Sequence, residues 1–318
     1  MKKLLVLALL LFFGNDLSAT HLMGGEITWI CSRSGVNAGK IKFTMILYRE
    51  CRGTLGGGAA VLPSSASLAG LPTSVTVTRT SINNVSPSCY SGQLSCATGV
   101  AAEGRMEEHL YESSWVTING TPPPAGWEIS YVNCCRPGSI TNGGSGDGYW
   151  LRAKMYPYTP PGAGAPLTMN TCYDSSPQFA EKPKSIICTG YPYTFSHNAY
   201  EPEFDSVHYA FANPMEGVGF SSGPGQNVAY SSPYSVTSPF PNQGNPNGFT
   251  PSTGLITISP TVSGSFMSCI KVESYRCNQK ISEIYRDVAM VIKTGCELTG
   301  LSTPNVPPVL TLDSIPGL

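Results

Sequence analysis

The sequence contains few charged residues. Charged side chains make up 12% of the 318 residues, and the formal net charge at pH 7 is −1. A typical soluble domain has about 25% charged residues. A chain without an excess of basic residues has no electrostatic footprint for a nucleic-acid backbone. We therefore expect no nucleic-acid partner.

Helical periodicity and long apolar runs are also missing. No stretch repeats apolar residues at i, i+3, i+4 and i+7 over the length of a helix. The apolar run at 4–13 is too short to cross a bilayer comfortably, and no later segment is apolar for long enough. We expect little helix and no membrane insertion.

Motifs of several enzyme classes do not occur. The chain has no G-x-S-x-G and no H-E-x-x-H, and its only histidines are His21, His109, His197 and His208. A triad needs a nucleophile, a histidine and an acid brought together, and no motif here predicts one. The prediction is a protein without enzymatic activity.

The N-terminus has the pattern of a secretory signal peptide. Met1-Lys2-Lys3 precedes the apolar run, and Leu17-Ser18-Ala19 follows it. Cleavage after Ala19 would remove residues 1–19 and leave a mature chain that begins at Thr20. We expect a secreted protein on the outer cell surface.

All 11 cysteines lie in the mature chain, where export makes disulfides the default state. Their spacing does not fit a zinc site. Cys134 and Cys135 are adjacent, and neighbours in a strand point to opposite faces, so we expect them to have different partners. Connectivity is not determined by sequence alone. The predicted pairs are Cys89 with Cys96, Cys51 with Cys134 or Cys135, and Cys188 with Cys296.

Strand patterns run along most of the chain. In the segment 41–48, Ile41, Phe43, Met45 and Leu47 alternate with more polar residues and should share one buried face. This segment and 26–31 are separated by Ser-Gly and Ala-Gly steps, which predict a hairpin. The fold class is therefore predicted to be all-β.

Composition suggests a division of the chain. Residues 158–166 are rich in Pro and Gly and are predicted to be a linker. We expect two disulfide-stapled β-sandwich domains of the immunoglobulin or cadherin-like kind, at 20–157 and 167–300. The Pro-rich stretch 301–318 is predicted to be a linker or the start of a further domain.

Six segments, in order, resemble the N-terminal module of large Bacteroidota surface proteins that are associated with gliding motility and exported by the type IX system. They are THLMGGEITWIC (20–31), LYRECRG (47–53), GWEISYVNCCRPGSITN (126–142), SSPQF (175–179), HNAYEPEFDSVHY (197–209) and VESYRCNQKISEIYRDVAMVIKTGC (272–296). The resemblance implies a disulfide-bearing surface or secreted protein with a role in adhesion. Such proteins often end in a sorting domain, so we expect this chain to be a fragment of a longer one.

Three carboxylates are crowded into one short segment, at Glu201, Glu203 and Asp205. Alternate residues of an extended segment project to the same side, and carboxylates grouped in this way suit Ca²⁺. The segment resembles the calcium loops between cadherin-like domains, although Phe204 stands where such loops have Gly. Other acids of the chain, such as Asp174, are candidates to complete the shell. The alternative is a solvated edge strand whose acids prevent edge-to-edge pairing.

The predicted function is a structural or adhesin module whose partners are other surface proteins, copies of itself or surface glycans. One alternative is an extracellular carbohydrate-binding module that stacks sugars on exposed aromatic rings. A second is a secreted copper-dependent polysaccharide oxidase, which would need His21 at the N-terminus.

Overall fold

The computed structural model describes residues 22–51, 53, 57–64, 71–86, 96, 104–217, 225–243 and 247–294. Within these residues the chain forms nineteen β-strands, and its helical structure consists of short 3-10 turns at Gly35–Asn37 and Met169–Thr171. The predicted all-β class is therefore confirmed. No helix in this part of the chain has the length and apolar character needed to cross a membrane.

The strands follow one another along the whole described chain. In order they are β1 (Leu22–Cys31), β2 (Lys40–Glu50), β3 (Ala59–Pro63), β4 (Ser74–Asn84), β5 (Met106–Ser113), β6 (Val116–Thr117), β7 (Trp127–Asn133), β8 (Tyr149–Met155), β9 (Gln178–Phe179), β10 (Ile186–Cys188), β11 (Tyr193–Ser196), β12 (Ala199–Tyr200), β13 (Ser206–Phe211), β14 (Met215–Gly217), β15 (Gly225–Asn227), β16 (Gly248–Thr250), β17 (Leu255–Ile258), β18 (Gly264–Arg276) and β19 (Gln279–Lys293).

Twelve of these strands form one large sheet. Its path runs β13-β18-β19-β1-β2-β5-β4-β3, with β8 and β10 also on β19, β7 on β8 and β6 on β2. An isolated bridge between Ser64 and Ile129 brings the end of β3 onto β7, so the sheet curls back towards itself. The other strands form the small sheets β11-β17-β16, β9-β12 and β14-β15.

The alternation predicted for the second strand is confirmed. Ile41, Phe43, Met45 and Leu47 of β2 are each at most 1% exposed. The residues between them are less buried. β2 pairs with β1 in antiparallel register, which confirms the predicted hairpin.

Strand β19 holds the large sheet together. One edge pairs along its whole length with β18. The other edge is shared by three successive partners: β8 pairs at Ser282–Ile284, β1 at Arg286–Val288 and β10 at Val291–Lys293. A 15-residue strand therefore links elements from both ends of the sequence.

Gly24 allows β1 to pass close to β19. A Cβ atom at this position would lie 2.0 Å from the carbonyl oxygen of Asp287, and the residue has φ +141°. Both the close approach and the dihedral angle favour glycine. The register of β1 shifts between Leu22 and Gly24, which marks a bulge at the same place.

The turn between β18 and β19 is a two-residue hairpin loop. Cys277 and Asn278 have φ of 49° and 61°, and Arg276 pairs directly with Gln279 across the loop. Positive φ at both central residues matches the twist of the flanking strands. The loop lacks the Asn-Gly or Asp-Gly pair that usually marks such a turn in a sequence.

The large sheet crosses the predicted domain boundary. Strands from both 20–157 and 167–300 belong to it, and the main core cluster contains side chains from both ranges. The ends of the predicted linker 158–166 are joined, since Leu167 donates its N–H to the Tyr158 carbonyl at 2.8 Å, and Tyr158 belongs to the main core cluster. The structure therefore does not show two separate sandwiches.

The disulfide pairs differ from the predicted pairs. Cys51 is bonded to Cys96, and Cys134 is bonded to its neighbour Cys135. The predictions of Cys89 with Cys96, and of Cys51 with Cys134 or Cys135, are therefore wrong. β7 ends at Asn133, so the rule that strand neighbours face opposite ways does not apply to the cysteines that follow it.

One long-range disulfide was not anticipated. Cys31, at the end of β1, is bonded to Cys172, 141 positions later, with 5.3 Å between the Cα atoms. Cys188 is also disulfide-bonded. Its predicted partner, Cys296, lies outside the described residues, so the pairing of Cys188 with Cys296 stays a prediction. Cys89 also lies outside the described residues.

We expect the double variant Cys31→Ser/Cys172→Ser to lose about 2–5 kcal/mol of unfolding free energy, because the bond closes a long loop in the unfolded chain. Urea denaturation without reductant measures this loss. Cys277→Ser removes an exposed free thiol and is the matched control; its effect should stay within about 0.5 kcal/mol. A double variant with the wild-type urea midpoint would contradict the prediction.

Candidate metal centre

The three predicted calcium ligands lie in a tight turn between β12 and β13. We call residues 201–205 the acidic turn. Phe204 donates its N–H to the Glu201 carbonyl at 3.2 Å, and its φ is 64°. The segment is therefore not extended, and its three carboxylates are not a simple row on one side of a strand.

Phe204 adopts a left-handed backbone conformation, which glycine takes without a steric cost. A left-handed φ costs a residue with a Cβ atom roughly 1–2 kcal/mol. Its side chain is 96% exposed, so no buried contact of the ring offsets this cost. The turn is held by its acids rather than by this residue.

The acids of the turn are not solvated. Glu201 is 8% exposed, and the side chains of Glu203 and Asp205 are 6% and 7% exposed. The alternative of a solvated edge strand is therefore wrong. Burial of a carboxylate is unfavourable unless a charge or hydrogen bonds compensate it, so the partners of each acid need to be identified.

Asp205 is compensated by an arginine. The Arg276 Nε donates to Asp205 Oδ1 at 2.7 Å, and its Nη2 donates to the other carboxylate oxygen. Such bidentate pairs are among the strong charge-assisted interactions. Asp205 is not among the acids whose carboxylate oxygens lie close together, so it does not join the other two acids as predicted.

Asp174 takes the place of Asp205. One carboxylate oxygen each from Asp174, Glu201 and Glu203 lies within 4.8 Å of the other two. We call these three residues the acidic cluster. Asp174 is 1% exposed, and neither of its side-chain oxygens has a hydrogen-bond partner among the described residues. The Oε1 atom of Glu201 is buried and unpartnered in the same part of the structure.

The position of Asp174 is fixed from both sides. Cys172 before it is bonded to Cys31. The Tyr173 carbonyl accepts a hydrogen bond from Arg276 at 2.5 Å. After it, the Ser175 hydroxyl accepts the Cys31 N–H at 3.1 Å. The chain is therefore held in place on both sides of Asp174.

Glu203 has two partners. Its Oε2 accepts the Ser175 N–H at 3.0 Å. Its Oε1 lies 2.8 Å from a guanidinium nitrogen of Arg33, whose side chain is 54% exposed. Glu201 has one partner, because its Oε2 accepts the Asp205 N–H at 2.7 Å. The cluster is thus joined to the β1–β2 turn through Arg33.

Burial and neighbouring charges raise the pKa of two acids of the cluster. Burial, and then the negative charges of Glu203 and Glu201, raise the pKa of Asp174 well above its usual value. Burial is also the main cause that raises the pKa of Glu201 to about 7. Each acid destabilises the charged form of its neighbours, as expected for like charges at short range.

A group of this kind can bind a hard cation. Its free atoms are carboxylate oxygens, which are the ligands that Ca²⁺ and Mg²⁺ take in proteins. His208 lies nearby in sequence, but its Nδ1 atom is 3.6 Å from Glu273, and the residue is not part of this group of ligand atoms. His197 accepts a hydrogen bond from Arg286 at 3.4 Å and is 3% exposed.

The other predicted sites give a mixed result. Three of the four tryptophans, Trp29, Trp127 and Trp150, are at most 7% exposed. They are therefore core residues and do not form a platform for sugar stacking. His21, on which the copper alternative depends, lies outside the described residues. The sequence had no signal for Arg33 or Arg276, since neither lies at an informative spacing from the acids.

Comparison of the chain with known protein families, curated proteins and solved structures found no match. The resemblance to gliding-associated surface proteins therefore stays a prediction.

The pair Arg276–Asp205 should be important for stability. We expect Arg276→Gln to cost about 1.5–3 kcal/mol, because it leaves Asp205 buried beside other acids without a partner. Adding Asp205→Asn should recover part of the loss, since the uncompensated charge is then removed. Urea denaturation of the wild type, the two single variants and the double variant, each with a metal chelator present, gives the coupling energy between Arg276 and Asp205. A coupling near zero would show that the pair is not a stabilising contact.

His197 should give stability a pH dependence. Burial, and then the positive charge of Arg286, lower the pKa of this histidine well below its usual value. The folded state therefore holds it neutral, while the unfolded chain binds a proton below about pH 6.5. The stability that it contributes is present above that pH and is lost as the pH falls.

We expect the unfolding free energy of His197→Gln to fall less between pH 7 and pH 5 than that of the wild type. The difference between the two profiles isolates this histidine, because the acids contribute to both. His197→Asn is the companion variant, since it also removes the titratable ring and should give the same profile as His197→Gln. Parallel profiles for His197→Gln and wild type would disprove the assignment.

Proposed function

We propose that the chain is a secreted structural or adhesive module of a bacterial cell-surface protein and that it acts by binding rather than by catalysis. The disulfide between Cys31 and Cys172 is the observation that carries the proposal, together with the predicted signal peptide 1–19. Disulfides form and persist outside the reducing cytosol. A cross-link between segments 141 positions apart therefore favours an exported protein.

The architecture supports a role as a rigid scaffold. Its longest strand, β19, pairs with four other strands, and the disulfides add covalent links at the ends of β1 and β2. Such scaffolds place binding residues on the loops between strands. The proposed partners are other surface proteins, further copies of the chain or surface glycans.

The segments that resemble gliding-associated surface proteins coincide with the central elements. They include most of β1, the loop that follows β7, the acidic turn and the β18–β19 hairpin. These elements belong to the large sheet and to the acidic cluster, and they are not peripheral loops. The resemblance thus supports an origin in a Bacteroidota surface protein exported by the type IX system.

Protease treatment of intact cells tests the location. The protein should be degraded by added protease while a cytosolic marker stays intact, and N-terminal sequencing should find Thr20 as the first residue. Protection of the chain in intact cells, or retention of residues 1–19, would refute export.

A deletion strain tests the role. We expect reduced attachment to surfaces or to other cells, restored by the wild-type gene, with no change in growth rate. Specific binding of the purified chain to a sugar on a glycan array would instead favour the carbohydrate-binding alternative. Normal attachment of the deletion strain would rule out an adhesive role.

A further inference from the structure

The acidic cluster contains a buried carboxylate that no described residue pairs with through a hydrogen bond. Asp174 is 1% exposed, and neither oxygen has a hydrogen-bond partner among the described residues. A buried polar group without a partner costs free energy, and a buried charge costs more. We propose that Asp174, Glu201 and Glu203 together bind one Ca²⁺ ion, which goes beyond the scaffold role proposed above.

Charge balance supports a divalent ion. Four carboxylates meet here: Asp174 and the three acids of the acidic turn. The described side chains that form ion pairs with them are two guanidinium groups, of Arg33 and Arg276. When all four carboxylates are ionised, two negative charges are left, which matches one divalent cation.

The positions of the carboxylate oxygens also support a bound cation. Both side-chain oxygens of Asp174 and the Oε1 atom of Glu201 are buried, and none of them has a hydrogen-bond partner in the part of the chain that the structure describes. One oxygen from each of the three acids lies within 4.8 Å of the others, a spacing that ligands of one ion can occupy. Glu201 also lines a depression on the surface.

The ligand set favours Ca²⁺ over other common ions. Zn²⁺ prefers nitrogen and sulfur ligands, and the cluster offers only oxygen. Mg²⁺ demands near-ideal octahedral geometry and dehydrates reluctantly, whereas Ca²⁺ accepts irregular sets of six to eight oxygens. Two long glutamate side chains on a strained turn form an irregular set.

A bound ion would tie distant parts of the chain together. Asp174 follows the Cys31–Cys172 disulfide, and the other two ligands belong to the acidic turn that leads into β13. Ca²⁺ would therefore link the end of the β1–β2 hairpin to the edge strand of the large sheet. Each acid would then be attracted to the bound ion, which would offset the repulsion between the acids.

Calorimetric titration of Ca²⁺ into the full mature chain, after removal of metal by chelator, tests the proposal. We expect one ion per chain with a Kd below about 1 mM, the range of extracellular calcium modules. At about a hundredfold excess of Ca²⁺ over Kd, Tm should rise by about 5 °C or more.

Asp174→Asn should weaken Ca²⁺ binding at least tenfold and remove the rise in Tm. In chelator its Tm should equal or exceed that of the wild type, because a repulsive charge is gone. Glu112→Gln is the matched control: it removes one carboxylate on β5, paired with Lys42, and should bind Ca²⁺ like the wild type.

Four results would overturn the proposal. The first is that the wild type shows neither heat of binding nor a shift in Tm at about 10 mM Ca²⁺, well above the expected Kd. The second is that Asp174→Asn binds Ca²⁺ with wild-type affinity. The third is that the wild type binds Mg²⁺ as tightly as Ca²⁺ or more tightly, and the fourth is that Glu112→Gln loses Ca²⁺ binding. If Asp174→Asn does not fold, Tb³⁺ luminescence of the wild type decides: emission sensitised by Tyr173 and displaced by Ca²⁺ supports the site, and its absence refutes it.

Discussion

The antiparallel pairing of β1 with β19 is the contact on which the rest of the structure depends. Glu26 and Arg286 face each other in the register of these two strands. Their side chains are 3% and 1% exposed and form a bidentate ion pair, with Arg286 Nη2 donating to Glu26 Oε1 at 2.8 Å. Breaking a buried pair of this kind costs about 3–5 kcal/mol. Any slip of the register by one residue would separate the charges inside the core.

This register has consequences along the whole of β19. Since β1 occupies the middle of one edge, β8 and β10 are confined to the two ends. β18 fills the opposite edge and carries β13 on its outer side. The acidic turn enters β13 directly, so its position relative to Asp174 follows from the same pairings. Arg276, at the end of β18, then reaches Asp205 and the Tyr173 carbonyl.

Much of the local structure could be predicted from patterns in the sequence. The alternation in β2 predicts its buried face, because side chains of a strand alternate between core and solvent. The crowding of acids at 201–205 drew attention to the part of the chain where the acidic cluster lies. Patterns failed at Cys134 and Cys135, because the strand ends before them, and at Asp205, because its arginine partner is 71 positions away.

The sequence by itself determined the all-β class, the strand periodicity and the presence of an unusual group of carboxylates. These properties depend on neighbours within a few residues, which composition and spacing record. The tertiary structure alone decided that both halves share one sheet, that Cys31 pairs with Cys172, and that Asp174 rather than Asp205 joins Glu201 and Glu203. Each of these contacts depends on which segments a long strand brings together, and local spacing contains no information about that choice.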